Sequence, residues 1–301
     1  MNGFFSFSQL PYLVLPWKDY TLFYFSSAII SFKYSMKLLS LNVALFETNN
    51  AALSDFLSKQ KLDILCLQEV SEKIDVSANP DFVSKKSIDK ATKNLKHSLF
   101  GITWIIKEFH LKNFHKKENF DYHFGGFLKA GNYLKTRFKV IKKANVFVQK
   151  GSLMPTDWSS WPKEQSKAVQ VVDLELPNSK KLRVLNYHGI WTKEKNGNEI
   201  TLKACQKILD LAKGVDYATV IVGDFNLFPD TPSMRVFYKD FVSLVDKYHI
   251  PTTRPKNNEL SHLKRNVVDY ILVSKDIQVN SFAVLDSDVS DHLPLILDFE
   301  I

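Results

Sequence analysis

Several apolar stretches of this 301-residue chain end in residues that a hydrophobic core does not require: Asn42, Gln68 with Glu69, Asn186 with His188, Asp224 with Asn226, Asp269, and Asp291 with His292. Carboxylates and a carboxamide gathered at one edge of a sheet present hard oxygen ligands, the kind Mg²⁺ or Mn²⁺ prefers while keeping several waters. Imidazoles such as His188 and His292 supply donors for a phosphate oxygen or a leaving group, and an adjacent carboxylate both holds the ring and raises its basicity. The chemistry that joins these parts is attack of water on phosphorus. Charge then builds on the equatorial oxygens, where a metal and an imidazolium stabilise it, and a carboxylate aims the water. Each residue alone has a plainer reading: Asn42 as a turn cap, His188 as a satisfied core histidine, Asp269 as a surface residue ahead of a strand.

The elements that must position these residues alternate from Met36 onward. Lys37–Ala44 reads as a buried strand, and residues 50–59 carry apolar positions 52, 53, 56 and 57, a helical stripe. Further strands are predicted at 63–68, 165–176, 181–187, 218–224, 267–274 and 293–299. The 165–176 and 181–187 pair forms a hairpin about Pro177-Asn178. Helices are predicted at 84–97 and 201–213, with short strands between Phe100 and Val148 around Gly125, Gly126 and Gly131. Early βαβ-like units followed by hairpins specify a mixed α/β domain with helices outside paired sheets.

Composition excludes several alternatives. A charged fraction of 24% with 45% hydrophobic residues is that of a folded chain rather than a disordered one. The two cysteines rule out a disulfide scaffold or a thiolate zinc site; Cys66 and Cys205 read as reduced packing residues. The net charge of +8 is uneven: residues 81–150 hold 15 Lys and one Arg against five acids, leaving the remainder of the chain slightly negative. Such a belt suits phosphate backbone contact, or else is a solvated lysine-rich face. With 35 Lys to five Arg, backbone contact is favoured over the bidentate readout of bases.

Residues 1–35 differ from the rest, with 11 aromatics and only Lys18, Asp19 and Lys33 as charges. Neither a secretory signal nor a membrane span is legible there, since the apolar run Tyr20–Phe32 is too short to span. The open readings are a peripheral aromatic anchor, an appendage packed on the domain, and an artefact of an upstream start codon. The last is favoured, so the working protein is expected to be residues 36–301. No integral span is expected, a cytoplasmic monomer is expected, and membrane association only if residues 1–35 are translated.

Taken together, GDFN at 223–226, SDHLP at 290–294, LQE at 67–69, LNV at 41–43, NYHG at 186–189 and VDYILVS at 268–274 make the chain resemble the endonuclease/exonuclease/phosphatase superfamily, the DNase-I-like fold. Their order matches as well, and the resemblance spans 36–301 with a loose fit from 75 to 165. It implies a four-layer αββα sandwich, two mixed β-sheets flanked by helices, that hydrolyses phosphoesters with Mg or Mn. Asn42 and Glu69 would then hold the metal, with Asp291 completing the acidic edge. Asp224 would orient or deprotonate the water and Asn226 steady it. His292 would donate to a phosphoryl oxygen with Asp269 fixing its tautomer, and His188 would contact phosphate or assist the leaving group. Asn186 and Asn132 are assigned to substrate, with Asn132 alternatively a turn residue beside Gly131.

Departures from the family narrow the substrate. Abasic-site nucleases of the superfamily usually carry Tyr where this chain has His188, and inositol phosphatases show an aromatic-Arg pair where Leu227-Phe228-Pro229 stands. Candidate acids to partner His188 are Glu72, Glu108 and Glu118. Lys193 and Lys195 follow His188 in a loop that either faces substrate or is solvated. Nucleic acid, phospholipid of the sphingomyelinase type and small phosphoesters remain open as substrates; a non-catalytic binding module is disfavoured because Glu69, Asp224, Asn226, Asp269, Asp291 and His292 are all retained.

Overall fold

In the computed structural model, residues 34–45, 48–73, 83–107, 127–153, 164–177, 179–255 and 265–301 are described. The leader through residue 33 and the middle stretch 108–126, with Glu108, Glu118, Gly125 and Gly126, lie outside the described residues. The strands are β1 (Met36–Asn42), β2 (Ile64–Lys73), β3 (His97–Lys107), β4 (Phe127–Thr136), β5 (Lys139–Gln149), β6 (Lys167–Glu175), β7 (Lys181–His188), β8 (Thr219–Asp224), β9 (Phe241–Ser243), β10 (Asp269–Ser274), β11 (Gln278–Val284) and β12 (Leu295–Glu300). The helices are α1 (Asn50–Lys59), α2 (Lys85–Ala91), α3 (Glu199–Lys213), α4 (Pro232–Arg235) and α5 (Leu244–Lys247).

Two six-stranded mixed sheets result, ordered β11-β12-β1-β2-β4-β3 and β5-β6-β7-β8-β10-β9. Each is centred on a parallel pair joined through a helix: β1-α1-β2 in the first and β7-α3-β8 in the second. All other pairings are antiparallel, including the expected β6–β7 hairpin. The sequence reading missed the short elements α4, α5 and β9, which offer little periodicity, and the edge strand β11, whose exposed QVNSFAV lacks a continuous apolar run.

Residue alternation explains the layers, because successive strand side chains point to opposite faces. Leu39, Leu41, Leu65 and Leu67 pack outward with Leu53 and Leu57 of α1 and Ile88 of α2, while Leu38, Ile64 and Cys66 face inward and join the main core with the second sheet. On the far side, Cys205, Ile208, Leu209 and Ala212 of α3 cover the second sheet. Both crossover helices begin where a side chain satisfies their first free N–H groups. Asn49 accepts from the backbone of Ala51 and Ala52 at 2.9 and 3.0 Å, and Asn198 forms a reciprocal capping box with Thr201. Gly214 follows α3 at its C-terminus.

Between Phe100 and Val148, where short strands are predicted, β3, β4 and β5 are 11, 10 and 11 residues long. Gly131 in this stretch is a packing requirement: a Cβ there would come within 2.0 Å of the Gly101 carbonyl oxygen on the paired strand. The predicted helix 84–97 stops at Ala91, and the chain re-enters a strand at His97.

Candidate active site

Strand parity delivers the polar residues to one place. Leu38, Ser40 and Asn42 share the inward face of β1, as do Ile64, Cys66 and Gln68 on β2. In the second sheet the register pairs His188 at the end of β7 with Asp224 at the end of β8, and Asp224 in turn with Asp269 at the start of β10. Asp224 Oδ2 is the hub. It accepts from Asn42 Nδ2 at 3.0 Å and Asn226 Nδ2 at 3.1 Å, and Nε2 of both His292 (3.6 Å) and His188 (3.9 Å) points at it. The two imidazole separations exceed a direct hydrogen bond, so neither ring is fixed to Asp224 by one.

Backbone strain collects at the same spot. Ala44, Glu69, Lys195 and Asn226 are four of the six described non-glycine residues with positive φ. At Glu69 the cause is a bulge, since the β2–β4 register shifts between Leu67 and Val70, and this extra residue re-aims the glutamate toward the site. Glu69 Oε1 then lies 3.2 Å from Asn42 Nδ2 and 3.6 Å from His188 Nε2. Before Asp224, Gly223 takes φ +134°, and a Cβ there would strike the Tyr187 carbonyl oxygen at 1.9 Å, so the GD pair depends on glycine.

The two histidines are held differently. His292 Nδ1 meets both oxygens of Asp269 at 2.9 and 3.0 Å, and Asp269 also accepts from Thr253 Oγ1 at 2.6 Å. Burial and Arg254 pull the His292 pKa down, but Asp269, Asp291 and Asp224 outweigh them, and the net shift is upward. His188 is pushed well below its ordinary value by burial and by Lys167, despite Asp224. Burial would raise the Asp224 carboxyl, yet His292, His188, Arg254 and Lys195 hold it well below the usual carboxylate range. Glu69 is raised, first by burial and then by Asp291.

The sequence reading brings Asn42, Glu69, His188, Asp224, Asn226, Asp269, Asp291 and His292 together, and the structure places all eight around this hub. Asn132 and Asn186 lie elsewhere, and Asn132 is mid-strand rather than in a turn. Asn186 receives a bond from Gln68 Nε2 (2.7 Å) and donates to Leu67 O (3.1 Å) and Gln170 Oε1 (2.9 Å), while Asn132 Nδ2 donates to Ala168 O (3.1 Å). Their carboxamides lace the two sheets together beneath the hub rather than facing substrate. Of the acids considered for His188, Glu72 pairs with Lys85 at 3.3 Å; the carboxylates that face its Nε2 are Glu69 and Asp224.

Arg254, Lys167 and Thr253 were not anticipated. Arg254 donates to Asp291 Oδ2 at 2.5 Å and to the Asp291 carbonyl at 3.0 Å. Lys167 is buried at the start of β6, and its pKa is pulled by burial to about 8 against the attraction of Glu69 and Asp224. Within the 193–195 loop the structure separates the two lysines: Lys193 is exposed, whereas Lys195 is buried and donates to Asn226 Oδ1 at 2.5 Å, with burial pulling it to about 8. The available signal was rarity for Arg254, one of only five arginines; Lys167 opens a strand that also carries Gln170, Asp173 and Glu175, so its type alone does not mark it.

The lysine-rich belt does not lie on one element. Its described residues fall on α2 and the turn after it, on β3 and β4 of the first sheet, and on β5 at the edge of the second. Lys85, Lys135 and Lys139 are paired with Glu72, Asp89 and Glu175.

A sequence profile described as Endonuclease/Exonuclease/phosphatase family matches residues 142–292, half of the chain. The chain belongs to the endonuclease/exonuclease/phosphatase family. Members of this family are hydrolases of phosphoester bonds. Among curated protein sequences none matches. Solved structures share the fold at low identity. An endonuclease/exonuclease/phosphatase from Beutenbergia cavernae DSM 12333 is 14% identical with TM-score 0.62, over 89% of this chain and 72% of that one. The human Nocturnin catalytic domain with bound sulfate is 17% identical with TM-score 0.59, over 88% of this chain and 94% of that one. D. rerio TDP2 complexed with single-strand DNA product is 13% identical with TM-score 0.59, over 89% and 99%. The four-layer αββα sandwich is therefore the family's fold. Among the described residues, no helix is long and apolar enough to cross a membrane.

The donor set of this family member fits a hard divalent cation. Asp224, Asp269 and His292 offer ligand atoms within 4.8 Å of one another, but Asp269 is already committed to His292 and Thr253. Glu69 and Oδ1 of Asp291, whose nearest ion-pair partner is His292 Nε2 at 3.8 Å, are the more available oxygens. Asn42 turns its NH₂ to the carboxylates, while its Oδ1 accepts from Ala44 N at 3.0 Å, so ligation by Asn42 requires the amide to turn over.

Proposed function

We propose that this chain hydrolyses phosphoester bonds with the help of Mg²⁺ or Mn²⁺, acting as a phosphodiesterase of nuclease-like type. The observation that carries the reading is the convergence on Asp224 Oδ2 of Asn42, Asn226 and two imidazoles whose pKa values are shifted in opposite directions, with Glu69 and Asp291 beside them. Glu69 and Asp291, with Asn42 after its amide turns, would hold the cation, which when bound neutralises charge on the phosphoryl oxygens. His292, kept protonated by its carboxylate neighbours and aligned by Asp269, donates to a phosphoryl oxygen. Asp224 aims the attacking water; with its pKa held low it is a weak proton acceptor, so orientation is its main task. Neutral His188 hydrogen-bonds the phosphate from the other side without adding charge, and Lys195 fixes the Asn226 carboxamide beside the water. Attack forms a P–O bond to the water oxygen and breaks the ester P–O bond; the water gives up one proton to solvent, and solvent returns one to the departing oxygen, so the step balances as ester plus water to alcohol plus phosphate.

Activity is tested by assaying purified protein with Mg²⁺, with and without chelator, on plasmid DNA, RNA, sphingomyelin and inositol phosphates. The reading requires hydrolysis of at least one of these that chelation abolishes; hydrolysis indifferent to chelator removes the metal, and inactivity on all of them removes the reaction. For nucleic acid bound through residues 81–150, binding should weaken steeply from low to physiological salt, with little sequence preference.

A further inference from the structure

Four large hydrophobic residues are exposed among those described: Ile141, Trp191, Leu202 and Tyr248. Only Trp191 stands beside the catalytic residues, three positions after His188. It is 43% exposed, yet it is not loosely held. The buried Gln165 side chain accepts from Trp191 N at 3.2 Å and donates to Trp191 O at 3.3 Å, clamping the backbone from both sides. The Lys195 ammonium lies 4.9 Å from the ring centroid, while the same nitrogen holds Asn226, whose amide touches Asp224. One buried lysine thus joins the indole to the hub.

We propose that Trp191 is a stacking platform for a nucleobase attached to the phosphate under attack, which makes nucleic acid or a nucleotide the substrate class. The proposal rests on the phosphoester reading of the neighbouring site. A clamped aromatic ring with a cation against it and solvent access suits a flat π-system, because base stacking needs one rigid ring rather than a groove. An acyl chain would instead need a continuous apolar surface, and among the described residues the other exposed large apolar side chains, Ile141, Leu202 and Tyr248, lie on other elements, while the exposed Lys193 and Glu194 beside Trp191 are charged. An inositol or sugar phosphate would draw on hydrogen bonds rather than on an indole face.

The test uses the full chain carrying Glu69→Gln to suppress turnover, titrated with a short single-stranded oligonucleotide and with an abasic oligomer of the same length and charge. The base-bearing oligomer should bind roughly 5- to 100-fold more tightly, the range expected when one base stacks on one aromatic ring. Adding Trp191→Ala should erase that difference, and Trp191→Phe should keep most of it, with melting temperatures confirming that both variants fold. Equal binding of the two oligomers, or a preference that survives Trp191→Ala, overturns the platform. Hydrolysis by the wild-type chain, measured in parallel, separates the two readings: turnover without base preference leaves the phosphoesterase standing and removes the platform, whereas base preference without turnover does the reverse.

Discussion

His188 and His292 both approach the same carboxylate oxygen, yet the protein pushes their pKa values apart. His292 sits at the end of the first sheet's last connection, its Nδ1 seized by a buried aspartate at 2.9 Å, and its charge is favoured. His188 closes β7 in the second sheet with no acid among the described residues nearer than Glu69 at 3.6 Å and with Lys167 in its field, and its charge is disfavoured. In the proposed function these identical side chains take different tasks from their surroundings, one a charged donor and one a neutral contact.

Removing the device that creates the contrast should have the largest effect. Asp269→Asn keeps the shape but withdraws the charge that aligns and protonates His292, so kcat/KM for phosphoester hydrolysis should fall by about 10²- to 10³-fold. Steady-state kinetics of a folded variant checks this. The pH profile then separates the rings. With His292 raised above its ordinary 6.5, activity that needs its proton is complete below that raised pKa and is lost as pH climbs through it; Glu69, also raised, sets the acid limb, with activity lost as pH falls through its pKa. His292→Gln should lower the rate by roughly 10²-fold and abolish the alkaline limb. His188→Gln should lower the rate less and leave that limb in place. Loss of the limb in the His188 variant instead would reverse the two assignments.

Lys167 sharpens the comparison through stability. Its folded pKa of about 8 lies below the unfolded value, so the unfolded chain binds more protons between about 8 and 10.4, and stability contributed by this group rises with pH across that window. Lys167→Met should therefore stabilise the fold at neutral pH by up to about 3 kcal/mol and flatten its pH dependence above 8, while reducing turnover. Denaturant melts at pH 7 and pH 10 measure it. The smallest effect is expected from Arg254→Met, which frees Asp291 and removes a positive charge: calorimetric Mg²⁺ affinity should rise severalfold rather than fall.

The catalytic constellation was legible because its residues interrupt apolar strands, an interruption that parity converts directly into position. Asn42, His188 and Asp224 are simply the last inward-facing residues of their strands. Asn132 and Asn186 send the same signal, yet a carboxamide on an inward face looks identical in sequence whether it meets a ligand or, as here, Gln68, Gln170 and strand carbonyls on the opposing sheet. Arg254 and Lys195 were obscure for a different reason. They come from loops, whose approach to the hub depends on tertiary packing and not on any local period. In β3 and β4, Gly101 and Gly131 mark the close approach of two strands longer than the short ones predicted there.

The central claim is that Asp224 is the hub of a hydrolytic site, and its most direct test is the rate of the Asp224→Asn variant. The measurement compares it with the wild-type chain on the substrate found in the Mg²⁺ panel, at equal folded fraction by circular dichroism. Asp224→Asn retains the size and most hydrogen bonds of the hub but not its charge, and a loss of at least roughly 10²-fold in kcat with an intact fold is the predicted result. A folded Asp224→Asn protein that turns over substrate at close to the wild-type rate would contradict the account.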